Sequence, residues 1–154
     1  MNADRATVEE LVYQTCTALD RNDYPEFLGL CDKQFEYKVT TFSPEIRKDM
    51  TWLDHNRAEM EELFHTLPKH NSDHAPLTRN AVVYKVSYDE GKNQANVVTA
   101  LQIFRTSLDG GATQLFAVGK YYDTVSLDSE KPILVKRHVK LDTRDLGWGN
   151  HIPL

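Results

Sequence analysis

Cysteine is scarce: two in 154 residues cannot make a disulfide framework. Cys16 and Cys31 are therefore expected as buried free thiols, which suits a reducing cytoplasm. Long apolar runs are absent too. None approaches the roughly 18–20 residues that span a bilayer, and Met1 to Ala6 lacks the apolar core of a secretory leader, so a soluble, unsecreted, cytoplasmic protein is expected. Positive charge is in deficit, with 18 Lys and Arg against 23 Asp and Glu and a net charge of -5. That balance argues against nucleic acid and anionic membrane, both bound through basic patches, as main partners. With only 7 Gly and 6 Pro no linker, low-complexity tract or repeat interrupts the chain.

What is present reads as one domain, residues 1–154, long enough to bury about 68–70% of its unfolded surface. Val8, Leu11, Val12, Thr15, Cys16 and Leu19 recur at helical spacing, and Thr7 with Glu10 fits a capping box. Pro25 opens a short second helix with Phe27, Leu28 and Cys31. Alternation of Phe35, Tyr37 and Val39 with polar residues predicts a strand from about Gln34 to Phe42. From about Asp49 the spacing of Trp52, Leu53, Met60, Leu63, Phe64 and Leu67 predicts a third helix ended by Pro68, with Trp52 in the core. The second half changes character. Asp89-Glu90-Gly91, Asp109-Gly110-Gly111 and the run Asp128 to Lys131 separate strands expected at Leu77 to Tyr88, Ala95 to Ser107, Thr113 to Ser126 and Pro132 to Asp142. Strands this long must twist or curl, with Gly119 as a bend. The fold class is α+β: a cone-shaped, strongly curved mixed or antiparallel sheet wrapped around three N-terminal helices.

Few residues invite chemistry. Glycine-rich phosphate loops, a G-x-S-x-G elbow and H-E-x-x-H are missing. His65, His70, Asp73 and His74 are metal-ligand types, but their spacing matches no compact metal motif and a polar loop collects such residues. Cys16 and Cys31, fifteen positions apart, cannot form the paired Cys and His motifs of a Rieske cluster. Arg137 sits in an apolar row with Ile133, Val135, Val139 and Leu141 and needs a partner, for which Asp20, Asp32 and Glu36 are open candidates. His138, Lys136 and Lys140 take the opposite face, exposed or in an interface. Asp123 shares a face with Leu115, Ala117, Gly119, Tyr121 and Val125, as a structural ion-paired acid or as a general base beside Tyr121 or Tyr13. Trp148, in a glycine-flanked tail, reads as an anchor into another chain.

The order helix, helix, strand, helix and four long strands resembles the nuclear-transport-factor-like cone. Within it the chain resembles the small (beta) subunit of aromatic-ring-hydroxylating dioxygenases and related Rieske non-haem iron oxygenases. The resemblance is carried by His74 with Thr78-Arg79-Asn80, by Phe116 to Asp123, by Arg137 to Arg144 and by the tail Leu146 to Leu154. It implies an alpha3beta3 hexamer whose alpha subunit holds a Rieske [2Fe-2S] cluster and mononuclear Fe(II), reduced indirectly through a reductase or ferredoxin. The beta chain then supplies assembly, with no catalytic, cofactor-binding or metal residue of its own, and residues 146–154 form a C-terminal interface tail. Two alternatives stay open. One is a small cone-pocket isomerase, dehydratase or cyclase with Asp123 or Asp20 as base and Tyr13, Tyr121 or His74 polarising a carbonyl. The other is a homodimeric binding module.

Overall fold

A computed structural model describes residues 3–70, 73–146 and 153–154, with the backbone alone at 69 and 70. Helix α1 spans Arg5–Asp20. Its N-cap is Asp4, whose carboxylate accepts the Thr7 N–H at 2.9 Å, so the helix starts before the Thr7 capping box expected for it. One stripe, from Val8 to Leu19, is buried. Asp23 caps α2 (Tyr24–Gly29), with Pro25 in its first turn, where a missing N–H costs nothing. Cys31 does not extend that helix but opens strand β1 (Cys31–Ser43), which is longer than the expected Gln34 to Phe42.

The third helix differs most from expectation. Lys48–Asn56 is strand β2, and α3 begins only at Arg57, running to His70. The boundary is a reciprocal capping box: Asn56 Oδ1 accepts the Glu59 N–H at 2.9 Å and Glu59 Oε1 accepts the Asn56 N–H at 3.0 Å. Trp52 therefore lies on a strand that is largely exposed along its length, 42% exposed itself, and not in the core. Pro68 sits inside the last turn without ending the helix. Its ring fixes φ near helical values and the loss is confined to one terminal hydrogen bond. Arg57 ties α3 to the rest by donating to the Leu28 and Cys31 carbonyls at 2.8 and 2.9 Å.

Four long strands follow: β3 (Leu77–Asp89), β4 (Gln94–Thr106), β5 (Thr113–Ser126) and β6 (Ile133–Leu141). They form the expected antiparallel meander, and β1 docks parallel against β6, giving one six-stranded sheet in the order β2-β1-β6-β5-β4-β3. The fold is thus α+β with a mixed sheet. Its inner face, with Tyr37, Val97, Leu101, Tyr121 and Val139, shares one core with the buried stripe of α1 and with Phe27 and Phe64. Register shifts re-aim two residues that simple alternation puts inside. The one between Ile103 and Phe104 leaves Leu115 54% exposed, and the one between Thr124 and Val125 turns Leu134 inward in place of Val135.

Gly119 marks a close approach of backbones. A Cβ there would lie 2.4 Å from the Lys140 carbonyl oxygen and 3.0 Å from the Leu141 Cα on the adjoining strand. Both obstacles are main chain, so β5 and β6 must separate to admit a methyl. Gly119→Ala should lower stability by about 1–3 kcal/mol, seen as a lower urea midpoint at unchanged slope.

Candidate functional site

The polar centre of the cone is an ion pair across β5 and β6. Asp123 and Arg137 face each other in register, and both side chains are 0% exposed. Arg137 donates from Nε to Asp123 Oδ1 at 2.9 Å and from Nη2 to Oδ2 at 3.0 Å, with a further bond to Thr15 Oγ1 on α1 at 2.9 Å. Its guanidinium also lies 3.8 Å from the Tyr121 ring centroid. Burial pushes the Asp123 carboxyl above its ordinary range, against the pull of Arg137. Burial works against the Arg137 charge as well, but the groups around it, Asp123 foremost, together hold its proton above the usual arginine value. The arginine's partner is therefore Asp123, not Asp20, Asp32 or Glu36. Glu36 instead meets Lys136 at the surface, at 3.3 Å.

A second buried arginine, Arg79 on β3, is held by Asp20 at the end of α1 (Nη1 to Oδ1, 2.8 Å) and by the Pro153 carbonyl (Nη2, 2.8 Å). Beside it the Tyr37 hydroxyl accepts the Leu154 N–H at 2.8 Å and donates to the Leu154 carbonyl at 3.1 Å. Burial raises the Tyr37 phenol to about 12, so it stays protonated and able to donate. Pro153 and Leu154 are thus drawn into this chain's own core. Trp148 lies outside the described residues. Sequence reasoning missed the role of Arg79, although Leu77, Arg79, Ala81 and Val83 carry the same signal as Arg137, a cation in an inward apolar row.

The remaining candidates do not converge. Tyr13, partly exposed on α1, accepts the Val83 N–H at 3.1 Å. Asp73 is clamped by Arg105 through bonds of 2.9 and 3.0 Å, and that contact holds its carboxyl below the usual range. His65 and His74 are exposed, and the His70 side chain lies outside the described residues. A cavity of about 360 Å³ opens between α2, α3 and the start of β3, lined by Tyr24, Phe64, Leu67, His74, Leu77 and Arg79. Neither Asp123 nor Tyr121 borders it. His138, half-buried on the outer face, sits 2.7 Å from Thr40 Oγ1, and burial together with Lys140 and Lys38 holds its pKa below the ordinary imidazole value.

Iron has no fitting donor set among the described residues: no three His, Cys, Asp or Glu side chains are placed to share an ion. Cys16 on α1 and Cys31 on β1 are free and buried, and burial raises the Cys31 thiol to about 12, far from the thiolate a cluster needs.

The family profile and the curated relatives agree on one family. Residues 14–147 match the profile of the ring hydroxylating beta subunit. The chain is 38% identical to the methanesulfonate monooxygenase hydroxylase subunit beta of Methylosulfonomonas methylovora, covering 96% of this chain and 85% of that one. It is 28% identical to the 2-aminobenzenesulfonate 2,3-dioxygenase subunit beta of an Alcaligenes species, over 98% and 99% of the two chains. Among solved structures, a chain of naphthalene 1,2-dioxygenase superposes with a TM-score of 0.75 over 99% of this chain and 88% of that one. Its identity of 18% makes this a likeness of fold alone.

Proposed function

Because the chain belongs to the family of ring-hydroxylating beta subunits, we propose that it serves a Rieske-type oxygenase as the structural member of an alpha3beta3 hexamer. In this reading the alpha subunit carries the Rieske [2Fe-2S] cluster and the mononuclear iron, electrons reach it through a reductase or ferredoxin, and this chain supplies no catalytic residue. The observation that carries the reading is the closed ion pair at the centre of the cone. Of the two acids a cone-pocket enzyme would use as base, Asp123 has both oxygens on Arg137 and no exposed side-chain surface, and Asp20 is bonded to Arg79. A base so held cannot reach a substrate proton.

The tail belongs to the same proposal. Leu146, Pro153 and Leu154 are buried in this chain, and the sequence between them holds Trp148, a residue type enriched at the centres of interfaces. No helix among the described residues is long and apolar enough to cross a membrane, and we place the complex in the cytoplasm. Both curated relatives belong to oxygenases named for a sulfonate, which supports a sulfonate as the substrate of the partner subunit.

Co-expression with an alpha chain bearing the paired Cys and His motifs of a Rieske cluster tests the assembly. Native mass spectrometry should show three copies of each chain, and the purified beta chain alone should bind no stoichiometric iron. Within the complex, Tyr121→Phe should leave turnover of methanesulfonate or 2-aminobenzenesulfonate, followed by oxygen uptake, unchanged per assembled hexamer. A beta chain that stays apart from every such alpha subunit would sink the reading.

A further inference from the structure

Pro153 and Leu154 are held the way a protein holds a ligand. They present three consecutive main-chain groups, and each is met by a side chain from a distant part of the sequence. Arg79 Nη2 donates to the Pro153 carbonyl at 2.8 Å. The Tyr37 hydroxyl accepts the Leu154 N–H at 2.8 Å and donates to the Leu154 carbonyl at 3.1 Å. One hydroxyl therefore reads both polar groups of one residue, as a neighbouring strand does in a hydrogen-bonded pair. Proline suits the position before it, having no N–H to leave unpaired in the interior. The leucine side chain completes the fit: Leu154 is 2% exposed and joins the main apolar core.

The walls of this site are fixed by other contacts. Tyr37 sits in the middle of β1, where its backbone pairs with His55 on β2 and with Arg137 on β6. Arg79 is anchored by Asp20, which accepts from its Nη1 at 2.8 Å and from its main-chain N–H at 3.1 Å. The groups that grip the tail thus belong to the sheet and to the end of α1. They also have capacity to spare. Arg79 Nε is buried with no partner among the described residues. Arg79 forms part of the wall of the 360 Å³ cavity between α2, α3 and the start of β3, through which a free molecule can approach.

We propose that the interior of the cone is a binding site for N-acyl aliphatic amino acids, and that residues 153–154 occupy it as a tethered ligand. The recognised unit is an acyl carbonyl, an amide N–H, a second carbonyl and a branched apolar side chain. The polarity of the walls sets that class. Arg79 calls for an acceptor, and because Asp20 already balances its charge, a neutral carbonyl suits it better than a second buried anion. Tyr37 calls for a donor and an acceptor on the same residue, which an N-acyl amino acid has and an ester or a plain acid lacks. Tethering keeps the site filled, since residues 147–152 hold the tail at an effective concentration on the order of millimolar. The inference goes beyond the subunit reading and does not depend on it.

The test compares the full chain with a chain ended after Ile152, each titrated with acetyl-prolyl-leucine amide and followed by residue-resolved NMR. The shortened chain should bind this dipeptide with a dissociation constant below about 1 mM, with shifts at Tyr37 and Arg79. The full chain, its site occupied, should need at least about tenfold more. In the shortened chain Tyr37→Phe should weaken binding about tenfold or more, through the loss of two hydrogen bonds. An ester analogue, with oxygen in place of the leucine N–H, should bind the unaltered protein several-fold more weakly, a loss that no folding defect explains. If the shortened chain is unfolded by itself, the dipeptide should restore its folded circular dichroism as concentration rises, and the ester should do so less well. Neither binding nor refolding at concentrations well above millimolar overturns the proposal. So does equal binding of amide and ester, or equal binding by the full and shortened chains, which would place the dipeptide elsewhere on the surface.

Discussion

Replacing Arg137 with methionine should cost about 3–5 kcal/mol of stability, measured as the loss in urea-unfolding free energy. The cause is what remains behind. With the guanidinium gone, Asp123 keeps its 0% exposed position and loses both partners of its two oxygens. Such a carboxylate must either keep an uncompensated charge or take up a proton. In the unfolded variant Asp123 ionises near about pH 3.9; in the folded variant, desolvated and without its cation, it does so at higher pH. The folded state then binds more protons than the unfolded one, so stability falls as pH rises above that value. The destabilisation should accordingly be smaller near pH 4 than at pH 7. The double variant Arg137→Met/Asp123→Leu removes the stranded acid and should recover much of the loss, because a buried pair exchanged for apolar groups is often neutral. Equal losses in the single and double variants would show that the arginine stabilises through packing on Tyr121 and not through the pair.

A loss of about 2–4 kcal/mol is expected for Tyr37→Phe, from two backbone groups left without partners. The hydroxyl is the acceptor for the Leu154 N–H and the donor to its carbonyl, and Tyr37 itself is 0% exposed. Phenylalanine keeps the ring and the packing, so the effect isolates the two hydrogen bonds. Faster amide exchange at Leu154, with little change at Val139 on β6, would locate the damage at the tail. A loss below about 0.5 kcal/mol, the lower end for one ordinary hydrogen bond, would show that the tail's bonds are readily replaced by water.

The meander of β3 to β6 was legible in the sequence to within a residue or two, because Val, Tyr, Thr and Ile alternate between clear turn signals and the buried face enforces the alternation. Strand β2 was not. From Lys48 to Leu53 it buries neither face fully, so no two-residue period is imprinted on it, and Trp52 and Leu53 then fell into a helical spacing that began only after Asn56. The Asn56-x-x-Glu59 capping box was the available signal against that extension. The central ion pair was half legible. Arg137 and Asp123 were each recognised as inward and in need of a partner. Counting back symmetrically from the Asp128 to Lys131 loop puts Asp123 opposite Lys136, and only the register shift between Thr124 and Val125 brings Arg137 across from it, so the pairing is not readable from loop position alone. The register shifts that expose Leu115 and bury Leu134 leave no mark in composition. The pairing of Arg79 with the Pro153 carbonyl joins positions 74 apart, which no local period encodes.

The parallel seam between β1 and β6 has a consequence for how the chain comes to be folded. Thr41 pairs with Leu141 and Tyr37 with Arg137, so the strand formed early in synthesis is completed by the last one. The helices and the β1–β2 hairpin emerge first with the seam side of β1 unsatisfied. They must wait while about a hundred residues are translated, at roughly 5–20 per second. Pairings of such long range raise the contact order, slow the final step and leave an open strand edge in the interval. The nascent chain should therefore need shielding until Leu141 clears the ribosome, and truncation within β6 should yield aggregates where truncation of a loop would not.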